Sequence, residues 1–160
     1  MTNDLPRADF LSVVSLAGAA IDGKVLARLA EAGFDDIRPG HGYLIQRLLT
    51  RPQLITAMAV DLGVSQQAVS KMVKDLMRLG LAAQRIDDQD SRRRPITLTE
   101  RGRAVVETAR IARDEIERDL RMTVGATDLE TARRVLDTLM DRFGLGTQLI
   151  ERKVPLPPEA

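Results

Sequence analysis

The stretch from Ile55 to Leu79, ITAMAVDLGVSQQAVSKMVKDLMRL, constrains what this chain can fold into more than any other. Two helices joined by a tight turn need a small residue where they cross, a turn residue that tolerates positive φ, and apolar inward positions on the second helix. Ala59, Gly63 and the set Val69, Met72, Val73 and Leu76 meet these needs in order. Ser65 is a good N-cap for the second helix, and Gly80 supplies its stop after Leu79. With the apolar set turned inward, helical geometry places Gln67, Ser70, Lys71, Lys74 and Arg78 on the opposite side.

The flanks extend this unit. From Asp9 to about Ala32, apolar residues recur at three- and four-residue steps (Phe10, Val13, Val14, Ala17, Ile21, Val25, Leu29), which predicts a long amphipathic helix weakened by Gly18 and Gly23. Gly33 to Asp36 breaks it, and Pro39 suits the first turn of a second helix running to about Thr50, with Tyr43, Leu44, Leu48 and Leu49 as its apolar face. Pro52 opens a short third helix ending at Gly63. After Gly80, Leu81–Ile86 and Pro95–Leu98 read as two short strands around a polar turn, Asp87 to Arg93. Thr99 caps a long helix from Glu100 to Val124, and a last helix runs from Asp128 to about Phe143. The proline-rich tail cannot continue a helix and is expected to be loosely held.

Composition narrows the class. Hydrophobic residues make up 44% of the 160-residue chain, enough for one core or one core plus a dimer interface. Aromatics are 2% and charged residues 29%, which favours helices packed through aliphatic side chains. There is no cysteine, so disulfides, thiolate metal sites and thiol redox sensing are excluded. No basic-then-apolar leader and no apolar run near 18 residues is read, so the expected location is the cytoplasm. The net charge of +1 is unevenly spread: residues 54–103 hold nine Lys/Arg against six acids, leaving 15 against 17 elsewhere.

The face carrying Gln67, Ser70, Lys71, Lys74 and Arg78 suits a DNA major groove. Glutamine pairs bidentately with adenine, serine donates or accepts, and lysine reaches guanine or phosphate. Ser65 and Gln66, at the helix N-terminus, add base or phosphate contacts. An isolated basic helix face is most often simply solvated, but here Arg92, Arg93 and Arg94 follow at the tip of a short hairpin, where they can enter the adjacent minor groove or clamp phosphates.

These residues resemble the MarR (multiple-antibiotic-resistance regulator) family of winged helix-turn-helix transcription factors. The resemblance spans residues 8–145 and rests on LGVSQQAVSKMVKDLMRLGLAAQR (62–85) through DDQDSRRRPITLTERG (87–102), above all Asp90-Ser91-Arg92 followed by Leu98-Thr99-x-x-Gly102. It implies a mainly α fold of about six helices plus a β-hairpin wing, assembled as an intertwined homodimer. Dimerisation and ligand-cleft helices would occupy 8–50, the DNA-binding lobe 52–99, further dimerisation helices 100–145 and a loose tail 146–160. Arg92 becomes the wing arginine in the minor groove, Asp90 the residue that shapes the wing, and Ser65 to Lys74 the recognition surface. Thr99 and Gly102 fall at the start of the helix behind the wing, where capping and close packing explain them.

The resemblance also implies interlocked terminal helices, with Phe10, Leu11, Val14, Val135, Leu139, Met140 and Phe143 as interface candidates; the alternative is that they fill an intramolecular core. Two recognition helices in such a dimer lie about 34 Å apart, which predicts a pseudo-palindromic operator. Many relatives bind small aromatic or anionic compounds in a cleft, for which His41, Tyr43 and Arg47 are candidates; a lone histidine is more often a surface or capping residue. The expected activity is a sequence-specific regulator, a repressor by the commoner family behaviour, released by such an effector. No cofactor and no metal is expected. The rival from another class is a winged-helix protein-interaction module, which would prefer exposed apolar residues on the recognition face. Catalysis is not expected: there is one histidine, no cysteine, no glycine-rich phosphate loop and no convergent carboxylates.

Overall fold

A computed structural model describes residues 8–86, 90 and 92–147. The elements run α1 (Phe10–Glu31), α2 (Pro39–Leu48), α3 (Ile55–Leu62), α4 (Gln66–Arg78), β1 (Ala82–Gln84), β2 (Ile96–Leu98), α5 (Glu100–Val124) and α6 (Ala126–Arg142). This is the mainly α, winged helix-turn-helix architecture that the sequence predicts. Asp87, Asp88, Gln89 and Ser91 of the expected turn, and the tail from 148 onward, lie outside the described residues.

Local chemistry sets the helix ends. The Asp9 carboxylate accepts the Ser12 N–H at 3.0 Å, opening α1. Pro39 stands at the first turn of α2, where its missing N–H costs nothing. Thr99 Oγ1 accepts the Gly102 N–H at 3.0 Å to start α5. β1 and β2 pair antiparallel, with Ala82 opposite Leu98 and Gln84 opposite Ile96.

The core gathers between α2, α3, α4 and the hairpin. Leu44, Met58, Val69 and Leu76 are completely buried there, with Leu62, Leu81 and Ile96 nearly so. α2 packs against α3, α4 and β2, while α1 packs against α5. α2 contributes Leu44, Ile45 and Leu48 to the same core, which also takes in Val25 and Leu29 of α1 and Val105 and Ala112 of α5.

Three expectations are corrected. Pro52 does not open the third helix, which starts at Ile55; Gln53 instead exchanges backbone hydrogen bonds with Ile96, at 2.9 and 2.7 Å, adding a one-residue bridge to the hairpin. The last helix starts at Ala126 rather than Asp128, directly after Gly125, which separates it from α5. Finally, α1 is long and apolar enough to cross a membrane by length and composition, with mean hydropathy 1.6 over 18 residues. Its last turns, through Val25 and Leu29, are buried in the core of this chain.

Candidate nucleic-acid interface

The turn between α3 and α4 fixes how the second helix is presented. Gly63 sits at φ 67°, ψ 27°, a left-handed conformation open to glycine at little cost. Its neighbour Val64 donates back to the Ala59 carbonyl at 3.1 Å, closing the end of α3. Two residues on, Ser65 Oγ accepts the Ala68 N–H at 3.1 Å, so α4 begins with one orphan donor satisfied.

Burial then sorts the residues of α4 by face. Val69, Val73 and Leu76 are buried and Met72 is half-buried against the core. Gln66, Gln67, Lys71, Lys74 and Arg78 are exposed and Ser70 is half-buried. Among the described residues, Lys71 and Lys74 make no ion pair, while Arg78 Nε stands 4.0 Å from Asp75 Oδ1. The outer surface is thus an unneutralised stripe of amide, hydroxyl and ammonium groups that can hydrogen-bond base edges and phosphates.

At the wing, Asp90 Oδ1 accepts the Arg92 N–H at 3.0 Å and the Asp90 carbonyl accepts the Arg93 N–H at 2.9 Å. A short acidic side chain that bonds its own backbone two residues on sets a turn. Arg92, Arg93 and Arg94 leave that turn exposed, and Arg94 Nη1 donates to the Arg93 carbonyl. The Arg85 N–H to Pro95 carbonyl bond, at 2.9 Å, continues the strand ladder towards them. The groups proposed for DNA therefore occupy two exposed features, α4 and the wing, that are joined through β1.

The three residues proposed for a ligand do not converge. His41 and Arg47 are six positions apart on α2, about 240° around the helix, and so face different neighbours. His41 is buried with its Nδ1 accepting the Arg38 N–H at 3.3 Å, a cap for α2. Burial holds its pKa below the usual histidine value, reinforced by Arg38 and Arg78 and opposed by Asp75. With Nδ1 accepting that bond, the donor of the neutral ring is Nε2. Arg47 is also buried, and among the described residues its Nε and Nη2 have no hydrogen-bond partner; burial lowers its pKa and Asp61 on α3 opposes that. Tyr43 is half-buried at the edge of the core. None of the three lines the hollow of about 130 Å³ bounded by Gly33, Phe34, Asp35, Asp36, Ile37, Leu79, Leu81 and Arg101.

The interface candidates are largely uncovered in the single chain. Phe10, Leu11, Val135 and Phe143 are exposed, Phe143 by 67%, and Val14, Leu139 and Met140 are half-buried. Sequence reasoning missed Leu16 as part of the same exposed apolar surface, also 67% exposed. No residue of α6 is buried.

No known family pattern and no curated protein matches the sequence. Solved structures do resemble it. A DNA complex of MepR from S. aureus superposes with a TM-score of 0.67 at 22% identity, over 84% of this chain and 99% of that one. A MarR family transcription regulator gives 0.65 at 18% identity, over 84% and 85%. The transcriptional regulator Tm0710 from Thermotoga maritima gives 0.59 at 21% identity, over 89% and 96%. In fold, the chain is a winged helix-turn-helix protein of the MarR type.

Proposed function

We propose that this chain is a sequence-specific DNA-binding transcription regulator that acts as a homodimer. The observation that carries the reading is the outer surface of α4, where Gln67, Lys71 and Lys74 stand exposed beside a wing that presents three consecutive arginines. Such a surface reads a major groove with the helix while the wing reaches the flanking minor groove or backbone. The homodimer is supported by the uncovered apolar residues of α1 and α6, which a second copy would bury. Two α4 helices about one DNA turn apart then select a pseudo-palindrome. Repression follows if the bound dimer occludes a promoter.

Release by an effector is the finer part of the proposal. It requires a ligand that binds the competent and incompetent dimers unequally. On α2, the buried Nε and Nη2 of Arg47 have no hydrogen-bond partner among the described residues, and an anion would have to open the core to reach them.

A binding selection on genomic fragments with the purified protein, followed by a salt titration on the best fragment, tests the reading. Enrichment of a pseudo-palindrome, with affinity falling steeply in salt, is expected. Arg92→Ala should weaken specific binding by about 2 kcal/mol, and Lys74→Ala should lower the salt slope by about one unit while weakening all sequences alike. Wild-type binding no better than to random DNA would overturn the reading in favour of a protein-interaction module.

A further inference from the structure

The start of α5 is wired to the end of α4 through three successive carbonyls. Arg101 Nε donates to the Leu79 carbonyl at 3.3 Å, Thr99 Oγ1 to the Gly80 carbonyl at 2.6 Å, and the Thr99 N–H to the Leu81 carbonyl at 3.0 Å. A Cβ on Gly102 would collide with that same Leu81 carbonyl, so the approach is as close as backbone allows. Thr99 and Gly102 thus hold the start of α5 against the end of α4 and the strands of the hairpin.

Arg101 does more. Its Nη2 donates to the Gly33 carbonyl at 3.1 Å, and the guanidinium lies 4.8 Å from the centroid of the Phe34 ring. Gly33 and Phe34 close the end of α1, where their N–H groups bond back to the Ala30 and Leu29 carbonyls. One planar cation therefore bridges the end of the helix with the exposed apolar surface and the end of the helix with the exposed polar surface. Guanidinium suits this because its donors form a rigid fork, whereas an ammonium is a single point. α1, at 22 residues, is a rod about 33 Å long, so a tilt imposed along its uncovered length moves its end at Gly33.

We infer that Arg101 is a positioning residue which fixes the recognition helix to α1, so that the arrangement of the two α1 helices in a dimer sets the separation of the two α4 helices. The consequence for DNA rests on the regulator reading above; the tie between α1 and α4 does not.

Two measurements on the full chain test it. The first compares wild type, Arg101→Ala, Arg101→Lys and Arg103→Ala on duplexes whose two half-sites are moved apart by one and two base pairs. Arg103→Ala removes the same charge two residues away and serves as the control. Wild type and Arg103→Ala should prefer one spacing by about tenfold, Arg101→Ala should flatten that preference to within about twofold, and Arg101→Lys should fall between them. A change in affinity that is equal at every spacing is what a merely structural or phosphate-binding role would give, and would overturn the inference. The second is amide hydrogen exchange without DNA. Arg101→Ala should speed exchange at Gly33 and Phe34 and at Leu79 to Leu81 together. Loosening at only one of the two ends would overturn the tie itself, whether or not the protein binds DNA.

Discussion

The lobe built from α2 to β2 and the pair formed by α1 and α6 handle their apolar residues in opposite ways. In the lobe, Leu44, Met58, Val69 and Leu76 are completely buried by side chains from the same chain. On α1, Leu16 is 67% exposed, and α6 buries nothing, although both helices carry regular apolar residues. An apolar surface of that extent on two helices is costly in water and is the mark of an interface. The lobe thus fills most of its own core, with Val25, Leu29, Val105 and Ala112 added from α1 and α5, whereas the terminal helices leave apolar residues uncovered in the single chain. Periodicity alone cannot separate the two cases, because a stripe facing a partner and a stripe facing a core have the same spacing.

The comparison can be broken by substitution. Leu76→Ala should cost about 3–5 kcal/mol in urea unfolding, equally at high and low protein concentration, because its contacts lie within one chain. Concentration dependence of that loss would show that this packing depends on a second chain. Leu16→Asp should leave the helical circular dichroism intact but weaken self-association about 30-fold, or about 2 kcal/mol, in sedimentation equilibrium. Unchanged association would remove α1 from the interface.

Smaller effects sharpen the picture inside the lobe. Ser65→Ala removes the acceptor for the Ala68 N–H and should cost about 1 kcal/mol of stability. His41 gives the smallest effect, and its sign follows from burial. Its folded-state pKa is depressed, so below about pH 6.5 the unfolded chain takes up a proton that the folded chain resists. The contribution is complete above that pH and is lost as pH falls further. Urea midpoints between pH 7.5 and 5 should therefore drop less in His41→Asn, which keeps a short acceptor but does not titrate; equal slopes would exclude His41 as the source.

How legible each part was in the sequence depends on how far away its partners lie. Gly63, Ser65 and Thr99 act within a few residues, and the turn and caps they predict are the ones observed. Pro52 was misleading because the rule for proline at helix starts is local, whereas Gln53 is claimed by Ile96 on the far strand of the hairpin. Arg101 carried no signal at all: its acceptors, Leu79 and Gly33, are 22 and 68 positions away. His41, Tyr43 and Arg47 look adjacent along the chain, yet the turn of α2 aims His41 and Arg47 at different helices. The exposed face of α4 was readable because it is the complement of an apolar set, and that set was dense enough to fix the rotation of the helix.

The pairing of α1 with α5 also orders events during synthesis. α1 is made before the lobe, and α5, which packs against it, is made after it, so α1 emerges with a stretch apolar enough for a bilayer before α5 exists. The core of the lobe is likewise left without Val105 and Ala112 until α5 has been made. Until residues beyond Thr99 have been added, α1 lacks the helix it packs against, and its apolar residues are in the state in which a growing chain is open to chaperones and to aggregation.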